Sequence, residues 1–366
     1  MSIFADSKLL DIVQKVEKEE RLGKDDGIRL MESNELLTVG YMADLVRKRK
    51  NGQYAYFIVN RHINHTNICA NLCKLCAFGK KAEDPEAYTM SLDEVETKAI
   101  ECKDQGVSEV HIVGGLNPEL KLSYFEDMLR RVRQALPDAV LQAFTAVEID
   151  YFAQTENIAV QEVLHRLMAA GLDSLPGGGA EVFSPRVRDK ICEKKVSGDR
   201  WLEVHETAHL MGMRTNATML YGHIETVEER IEHLIKLREL QDQTSGFLAF
   251  IPLAFHPKNT GLEEMNLSRS TGYDDLKVLA VARLMLDNFD HIKAFWIMIG
   301  PKLAQVSLAF GVDDIDGTVV EERITHAAGG DTGQSLTKQQ LVKMIKAAGR
   351  IPAERDTLYK ILEEGF

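Results

Sequence analysis

From residue 54 onward, the sequence alternates between short apolar runs typical of β-strands and longer segments with helical periodicity. Strands that alternate with helices of ten or more residues are typical of βαβ units around a parallel sheet. Eight strands within roughly 270 residues favour a closed TIM-type (β/α)8 barrel. An open doubly wound sheet is the alternative. The predicted strands are Tyr56–Asn60 with Ile63–Ile68, Glu109–Val113, Val140–Phe144, Ser174–Leu175, Thr215–Leu220, Phe247–Ile251, Ala294–Ile299 and Gly317–Glu322.

The predicted helices lie between these strands and, in addition, before the first of them. Apolar residues at helical spacing, such as Leu9, Ile12 and Val16, predict an N-terminal helical extension over residues 1–53. Residues 54–366 form the predicted barrel, including its C-terminal helices. The predicted barrel helices are Ser91–Gln105, Tyr124–Ala135, Ala159–Ala170, Gly198–Met211, Val227–Gln243, Tyr273–Asn288, Lys302–Ala309 and Thr337–Ala348.

Composition limits the classes of function. The net charge of −12 argues against a nucleic-acid-binding surface, which needs a basic face. The N-terminus lacks a basic, apolar secretory signal, and no uncharged apolar run approaches the length of a membrane span. The five cysteines do not have the pattern of a disulfide framework. We therefore expect a soluble enzyme or binding protein in a reduced cytoplasm.

Three cysteines form one C-x3-C-x2-C run, Cys69-Ala-Asn-Leu-Cys73-Lys-Leu-Cys76. A structural zinc site or a closed iron–sulfur cubane has four ligands, so three thiolates leave one metal position open for chemistry. Cys102 and Cys192 lie in helical surroundings and are expected to be small buried hydrophobes. A zinc knuckle completed by His62 or His65 is the alternative, although structural zinc loops usually have a second cysteine pair and none follows here.

Unusual residues recur directly after the predicted strands. The active site of a (β/α)8 barrel is built at the C-terminal ends of its strands, in the βα loops. The cysteine run follows the first predicted strand, and further motifs follow the second, fourth, fifth and sixth. These motifs are Gly114-Gly115, Gly177-Gly-Gly-Ala-Glu181, Tyr221-Gly-His223 and Ala254-Phe-His256-Pro257.

A C-x3-C-x2-C run after the first strand of a barrel resembles the signature of radical S-adenosylmethionine (SAM) enzymes. That resemblance implies a radical SAM barrel in which Cys69, Cys73 and Cys76 hold three irons of a [4Fe–4S] cluster. It further implies that SAM chelates the fourth iron, and that one electron cleaves it to methionine and a 5′-deoxyadenosyl radical.

Longer segments resemble the futalosine-pathway enzymes of menaquinone biosynthesis. Within this branch, Pro-Leu-Ala-Phe-His256 favours the aminofutalosine synthases over the sister cyclic dehypoxanthine futalosine synthases or another hydrogen-abstracting relative. The implied reaction adds the deoxyadenosyl radical to 3-[(1-carboxyvinyl)oxy]benzoate, gives 6-amino-6-deoxyfutalosine and releases CO2 or bicarbonate. Flavodoxin or ferredoxin is the expected reductant. The matching segments are Asn64–Cys69, Cys76–Phe78, His111–Leu116, Leu175–Glu181, Met219–Glu225 and Phe250–His256.

The resemblance suggests roles for individual residues. Those expected to bind SAM are Phe78, Gly114, Gly115, Gly178 and Glu181. Those expected to bind the dicarboxylate substrate are Arg61, His65, Asn67, Asn216 and Thr218, with arginine preferred for bidentate carboxylate binding. Those expected to act in catalysis are Tyr221, His223 and His256, although a structural hydrogen bond is the alternative for each histidine.

One motif favours a different class of enzyme. His205-Glu206-Thr-Ala-His209 satisfies the H-E-x-x-H pattern of zinc hydrolases, with both histidines on one helix face. Its helix falls between the fourth and fifth predicted strands. We therefore expect it on the outer ring of the barrel, remote from the rim that carries the other motifs.

Overall fold

The computed structural model describes residues 7–265, 267, 269–330 and 332–366. Most of its strands run in parallel, each joined to the next by a helical connection. The strands within the described residues are β1 Tyr54–Ile58, β2 Asn60–Ile63, β3 Glu109–Ile112, β4 Val140–Ala143, β5 Ser174–Leu175, β6 Arg214–Tyr221, β7 Phe247–Ala254, β8 His291–Ile292, β9 Asp314–Gly317, β10 Ile351–Arg355 and β11 Ile361–Glu364.

Several helices begin with a capping box, in which a Ser or Thr side chain accepts from the third backbone N–H, as at Ser91, Thr145 and Thr226. The helices within the described residues are α1 Leu10–Glu17, α2 Lys24–Glu32, α3 Leu36–Asn51, α4 Leu92–Ile100, α5 Leu122–Ala135, α6 Ala146–Glu156, α7 Val160–Ala170, α8 Pro185–Ile191, α9 Gly198–Leu210, α10 Val227–Thr244, α11 Gly272–Met285, α12 Trp296–Ile299, α13 Pro301–Ser307, α14 Ile324–Ala327 and α15 Lys338–Ala347.

Seven parallel strands, β2 to β8, are hydrogen-bonded in chain order. The register places His62 of β2 opposite His111 of β3, and His111 opposite Gln142 of β4. Because side chains alternate between the two faces of a strand, these three point to the same side of the sheet. That side is the interior of the barrel.

Strand β9 closes the barrel. On one side, the Asp313 N–H donates to the Ile292 carbonyl at 3.2 Å, and the Ala294 N–H donates to the Asp314 carbonyl at 2.8 Å. On the other side, the Thr318 N–H donates to the Ile58 carbonyl of β1 at 3.1 Å, and the His62 N–H of β2 donates to the Val320 carbonyl at 3.0 Å. The eight parallel strands β2 to β9 thus form a closed ring, and the predicted (β/α)8 barrel is confirmed.

Two aspartates tie β9 and the residue before it to neighbouring elements. Asp313 pairs with Arg283 of α11, and both side chains are fully buried. Asp314 accepts from Arg355 Nε of β10 at 2.6 Å, and from the Tyr359 hydroxyl at 2.8 Å. Buried ion pairs of this kind hold a register firmly, because a broken pair leaves an uncompensated buried charge.

Helices α1 to α3 precede the barrel and pack against its outer helices. At Gly40 of α3, a Cβ atom would lie only 2.5 Å from the Phe310 ring. At Gly27 of α2, it would lie 2.9 Å from the Met285 sulfur of α11. Three helices thus occupy this segment from residue 10 on, whereas residues 1–6 lie outside the described residues. The domain boundary at residues 53 and 54 stays a prediction.

Three predicted strands were wrong in their bounds. The segment predicted as Ile63–Ile68 ends as a strand at Ile63, because the following residues turn to form the cysteine loop. The segment Ala294–Ile299 contains helix α12, and the strand there is β8, which ends at Ile292. The segment Gly317–Glu322 is a strand only at its first residue. Short apolar runs do not distinguish strand from helix by periodicity alone.

No helix within the described residues is both long and apolar enough to cross a membrane.

Candidate active site

A cavity of about 340 Å³ opens at the C-terminal ends of the barrel strands. One part of its wall is formed by the cysteine loop and the glycine-containing turns, and another part by side chains inside the barrel. The residues of the sequence predictions that line it are Cys69, Cys73, Cys76, Phe78, Gly114, Gly115, Gly178, Glu181, Asn216, Thr218 and His256.

The cysteine loop follows β2, and all three of its thiols are free and half-buried. The Cys69 N–H donates to the Lys80 carbonyl at 3.0 Å, and the Cys76 N–H donates to the Cys73 carbonyl at 3.0 Å. The Gly79 N–H points at Cys76 Sγ from 3.4 Å. These backbone bonds fix the loop and direct its thiols toward the cavity.

The glycine pair after β3 allows this loop to lie close to the sheet. A Cβ atom at Gly115 would come within 2.2 Å of the Ile68 carbonyl oxygen. A Cβ atom at Gly114 would come within 2.5 Å of the His65 ring. Real Cβ atoms do not approach so closely, so both positions require glycine for packing. Contact with a bound ligand stays a prediction for this pair.

The donor set suits an iron–sulfur cluster. Among the described residues, no three His, Cys, Asp or Glu side chains are gathered closely enough to hold a single metal ion. The irons of a [4Fe–4S] cluster lie at separate corners, so its thiolates lie farther apart than the ligands of one zinc ion. Cys69, Cys73 and Cys76 would hold such a cluster, which would supply one-electron chemistry at the cavity.

Glu181 and Lys195 form a buried ion pair in the cavity wall. The Lys195 ammonium lies 2.6 Å from Glu181 Oε1, and both side chains are largely buried. Burial alone would raise the pKa of Glu181, but the Lys195 charge outweighs it and holds the pKa below its usual value. Glu181 itself has a left-handed backbone, with a φ of 47°. The pair therefore stays charged and fixed beside the cysteine loop.

Glu148, on α6, is a buried carboxyl group in the cavity wall. Its side chain accepts from the Gly114 N–H at 3.1 Å, and from the Thr145 N–H at 2.7 Å. Burial raises its pKa to about 7, although these hydrogen bonds act in the opposite direction. Glu148 joins the turn after β3 to the turn after β4, and so holds Gly114 in place.

The interior of the barrel below the cavity is polar, whereas barrel interiors are usually filled by branched apolar residues. The His62 and His111 rings stack at 4.7 Å, and His111 Nδ1 lies 3.2 Å from Gln142 Oε1. Burial lowers the pKa of both histidines, so both are neutral. Also in this interior, the Lys293 ammonium lies 3.8 Å from Asp316 Oδ1. We call His62, His111, Gln142, Asn216, Lys293 and Asp316 the polar floor.

The glycine run after β5 lies close to strand β6 and to helix α6. A Cβ atom at Gly177 would lie 2.7 Å from the Ala217 backbone, and one at Gly179 would lie 2.3 Å from Val147. Gly179 also has a φ of 84°. The Thr218 hydroxyl donates to the Gly177 carbonyl at 2.6 Å, and fixes the run against β6.

Three residues predicted to bind substrate do not line the cavity. Arg61 points out of the barrel, where its guanidinium lies 3.0 Å from Glu321 Oε1. His65 is fully buried beneath Gly114, with neither ring nitrogen hydrogen-bonded. Asn67 braces the cysteine loop, because its side chain bonds the backbone at Glu86 and Tyr88.

Two residues predicted to be catalytic are also directed away from the cavity. The Tyr221 hydroxyl donates to Asp275 Oδ1 on α11 at 2.7 Å. His223 Nε2 donates to the Leu220 carbonyl at 3.0 Å, and its Nδ1 lies 2.8 Å from Glu225 Oε2. His256 is the member of this set that does line the cavity, where its Nε2 donates to the Met298 carbonyl at 3.0 Å.

The H-E-x-x-H motif lies on α9, beside the N-terminal ends of β6 and β7. His205 Nδ1 and His209 Nε2 each lie 2.8 Å from the Thr215 hydroxyl, and His209 Nδ1 lies 2.8 Å from the Thr244 hydroxyl. The His205 ring also packs against Trp201, with the ring centroids 3.8 Å apart. The motif is therefore at the opposite end of the barrel from the cavity, and the predicted position on the outer ring is confirmed.

Comparison with known sequences identifies the family. Residues 63–237 match the description Radical SAM superfamily, and residues 244–365 match the description CofH/MqnC C-terminal region. The aminodeoxyfutalosine synthase of Thermus thermophilus is 47% identical over 97% of this chain and 96% of its own length. This chain belongs to the radical SAM superfamily. Its members use a [4Fe–4S] cluster and SAM, so it is a radical SAM enzyme with these cofactors.

Further relatives extend the comparison. The aminodeoxyfutalosine synthase of Streptomyces coelicolor is 42% identical over 97% of this chain and 94% of its own length. A 5-amino-6-(D-ribitylamino)uracil–L-tyrosine 4-hydroxyphenyl transferase of Methanosarcina mazei is 38% identical over 94% of this chain and 89% of its own. Among solved structures, methylornithine synthase has a TM-score of 0.73 and 19% identity over 93% of this chain and 97% of its own, which shows the shared fold.

Several cavity residues were not predicted from the sequence, among them Glu148, Lys195, Lys293 and Asp316. The capping box Thr145-x-x-Glu148 was a signal for Glu148, because it marks the start of the unpredicted helix α6 directly after a strand. Lys293 follows β8, but the predicted strand Ala294–Ile299 placed it before a strand, at the wrong end of the barrel. Lys195 and Asp316 carried no comparable signal.

Proposed function

We propose that this enzyme is an aminodeoxyfutalosine synthase of menaquinone biosynthesis. It adds the 5′-deoxyadenosyl group of SAM to 3-[(1-carboxyvinyl)oxy]benzoate, and forms 6-amino-6-deoxyfutalosine with loss of CO2 or bicarbonate. The observation that carries this proposal is the 47% and 42% identity, over 97% of the chain, to two proteins of that name.

The cysteine loop and the Glu181–Lys195 ion pair have different roles at the C-terminal ends of the strands. Cys69, Cys73 and Cys76 would hold the cluster, which would supply one-electron chemistry at SAM. The Glu181–Lys195 pair lies beside this loop and offers a carboxylate and an ammonium to the polar groups of SAM. Gly178 is held by Trp201, whose Nε1 donates to the Gly178 carbonyl at 3.1 Å.

The cavity also suits an aromatic substrate that carries two carboxylates. Phe78, Leu253 and Phe295 provide apolar contact surface, while the polar floor offers hydrogen-bond donors. The floor side chains are buried within the barrel, so a ligand bound against them is shielded from bulk water on that side. A radical species needs such protection from side reactions.

The electron comes from outside the chain. We propose flavodoxin or ferredoxin as the reductant, because cluster reduction requires a low-potential one-electron donor.

Anaerobic turnover tests the function. The reconstituted enzyme, with reductant, SAM and the enolpyruvyl benzoate, is expected to give a product that retains the adenosyl group. Mass spectrometry and SAM labelled in its ribose distinguish this product from free 5′-deoxyadenosine. Release of only free 5′-deoxyadenosine, or reaction with tyrosine and a ribitylaminouracil instead, would contradict the proposal.

A further inference from the structure

Carboxylate recognition requires cations, and the cavity offers few. Among the described residues that line it, Lys195 and Lys293 are the only lysines or arginines. Lys195 is engaged by Glu181 at 2.6 Å. The ion pair of Lys293 with Asp316 is loose, at 3.8 Å, and its ammonium makes no hydrogen bond within the described part of the chain. Lys293 is therefore the cavity cation that remains available.

Lys293 is deeply buried, which makes its lack of close partners informative. It is 5% exposed, in a region where a charged group normally has hydrogen bonds as well as an ion pair. It is held there by the backbone, because the Lys293 N–H donates to the Phe250 carbonyl of β7 at 2.9 Å. The strand ring thus places an incompletely paired ammonium at the polar floor.

Two neighbouring groups in the floor also lack partners. His62 is 7% exposed, and neither of its ring nitrogens makes a hydrogen bond within the described residues. Asn216 is 3% exposed, and its Oδ1 is buried without a partner. Buried polar groups in native proteins are rarely left unpaired. A cation and two unpaired polar side chains, from three different strands or strand ends, all face one cavity.

We propose that Lys293 binds the benzoate carboxylate of the substrate, with His62 and Asn216 lining the same pocket. This inference rests on the proposed function. The floor lies within the strands, whereas the cysteine loop lies beyond their C-terminal ends. The enol-ether carbon of the substrate must face the nucleoside at the cysteine loop. The carboxylate across the aromatic ring therefore points toward the floor, and Lys293 selects substrates that carry it.

Binding by truncated ligands tests this assignment. Calorimetry is performed anaerobically on enzyme with an oxidised cluster, so that no turnover occurs. The ligands are the enolpyruvyl benzoate, 2-phenoxyacrylate, which lacks the benzoate carboxylate, and 3-(vinyloxy)benzoate, which lacks the other. Lys293→Met is compared with wild type. Lys277→Met is the matched control, because Lys277 is also buried but lies on α11 away from the cavity.

We expect Lys293→Met to weaken binding of the enolpyruvyl benzoate by about 10²-fold, because a buried charge pair is lost. Binding of 2-phenoxyacrylate should be unchanged, and Lys277→Met should bind every ligand as wild type does. Lys293→Arg should recover part of the loss. If Lys293→Met fails to fold, Lys293→Met/Asp316→Asn removes both charges and shows the same ligand pattern.

Other results would overturn the inference. Full affinity of the Lys293 variant for the enolpyruvyl benzoate, or an equal loss for 2-phenoxyacrylate, would show that Lys293 does not serve this carboxylate. If Lys293→Met weakens binding of the enolpyruvyl benzoate but not of 3-(vinyloxy)benzoate, Lys293 binds the other carboxylate, and the proposed orientation of the substrate is wrong. If wild-type enzyme binds the enolpyruvyl benzoate and only the variant pattern fails, the proposed function stands. If wild-type enzyme does not bind it, both fail.

Discussion

The two ends of this barrel each contain a group of buried histidines, and they differ in how those histidines are paired. At the N-terminal end, His205 and His209 share the Thr215 hydroxyl and pack against aromatic rings. At the C-terminal end, His62 lies beside a cavity with no hydrogen-bond partner within the described residues. A motif that matches a catalytic pattern can thus be structural, while an unmatched histidine lies in the functional site.

The largest effect on turnover is expected at the cysteine loop, at the C-terminal end of the barrel. Replacement of Cys69, Cys73 or Cys76 by alanine should abolish turnover, because we propose that each thiolate binds one iron of the cluster. Iron and sulfide analysis after anaerobic reconstitution, together with product formation, measures the effect. Cys102→Ala is the control, since this fully buried thiol donates to the Lys98 carbonyl at 3.1 Å on α4. Full activity in any of the first three variants would refute the cluster assignment.

A smaller effect is expected at the glycine pair. Gly115→Ala should displace the cysteine loop, because its Cβ would meet the Ile68 carbonyl at 2.2 Å. Displacement of a reacting group by about 1 Å costs about 10²-fold in rate. Turnover and bound iron should both fall. Gly23→Ala is the control, because its Cβ would meet nothing closer than 3.8 Å. Normal iron content in Gly115→Ala would show that the loop tolerates the change.

At the other end of the barrel, we expect a change in stability without a change in rate. Thr215→Val removes the hydroxyl that bonds both His205 and His209, and should lower the free energy of unfolding by about 1–3 kcal/mol. Turnover at 25 °C should be unchanged. Chemical denaturation and the product assay measure the two effects. If Thr215→Val lost turnover while its free energy of unfolding was unchanged, the H-E-x-x-H motif would have a functional role.

The last prediction concerns pH. Burial, followed by the charge of Arg214, lowers the pKa of His209 from 6.5 to about 4. The folded state therefore favours the neutral ring. Its contribution to stability is complete above pH 6.5 and is lost as the pH falls toward 4, at up to roughly 1.4 kcal/mol per pH unit. His209→Gln should flatten the pH dependence of unfolding in this range. Equal slopes for both proteins would contradict the assignment.

The barrel and the cysteine site were predictable because both depend on local sequence signals. Strand and helix alternation identifies βαβ units, and the C-x3-C-x2-C spacing identifies three thiols on one loop. Both signals survive errors of several residues in strand bounds. The cofactors and the family followed from them.

The side chains of the floor were less predictable, because successive side chains of a strand point to opposite faces of the sheet. Arg61 was expected in the site, but His62 points into the barrel and Arg61 therefore points out. The same alternation on β6 directs Thr218 inward and Tyr221 toward Asp275. Lys293 was missed because the predicted strand began at Ala294, three residues after β8 begins, and so placed Lys293 at the N-terminal end of the barrel.

Strand β9 has a consequence for the order in which the site can be built. Its residues 314–317 are the last barrel strand to be synthesised, and they join β8 to the first strands. Asp316, in the floor, lies on this strand, and β10, which pairs with β1, follows still later. A nascent chain therefore exposes the cysteine loop more than two hundred residues before the wall opposite it exists. Until β9 has been synthesised and has folded, the thiols face solvent and not an enclosed cavity.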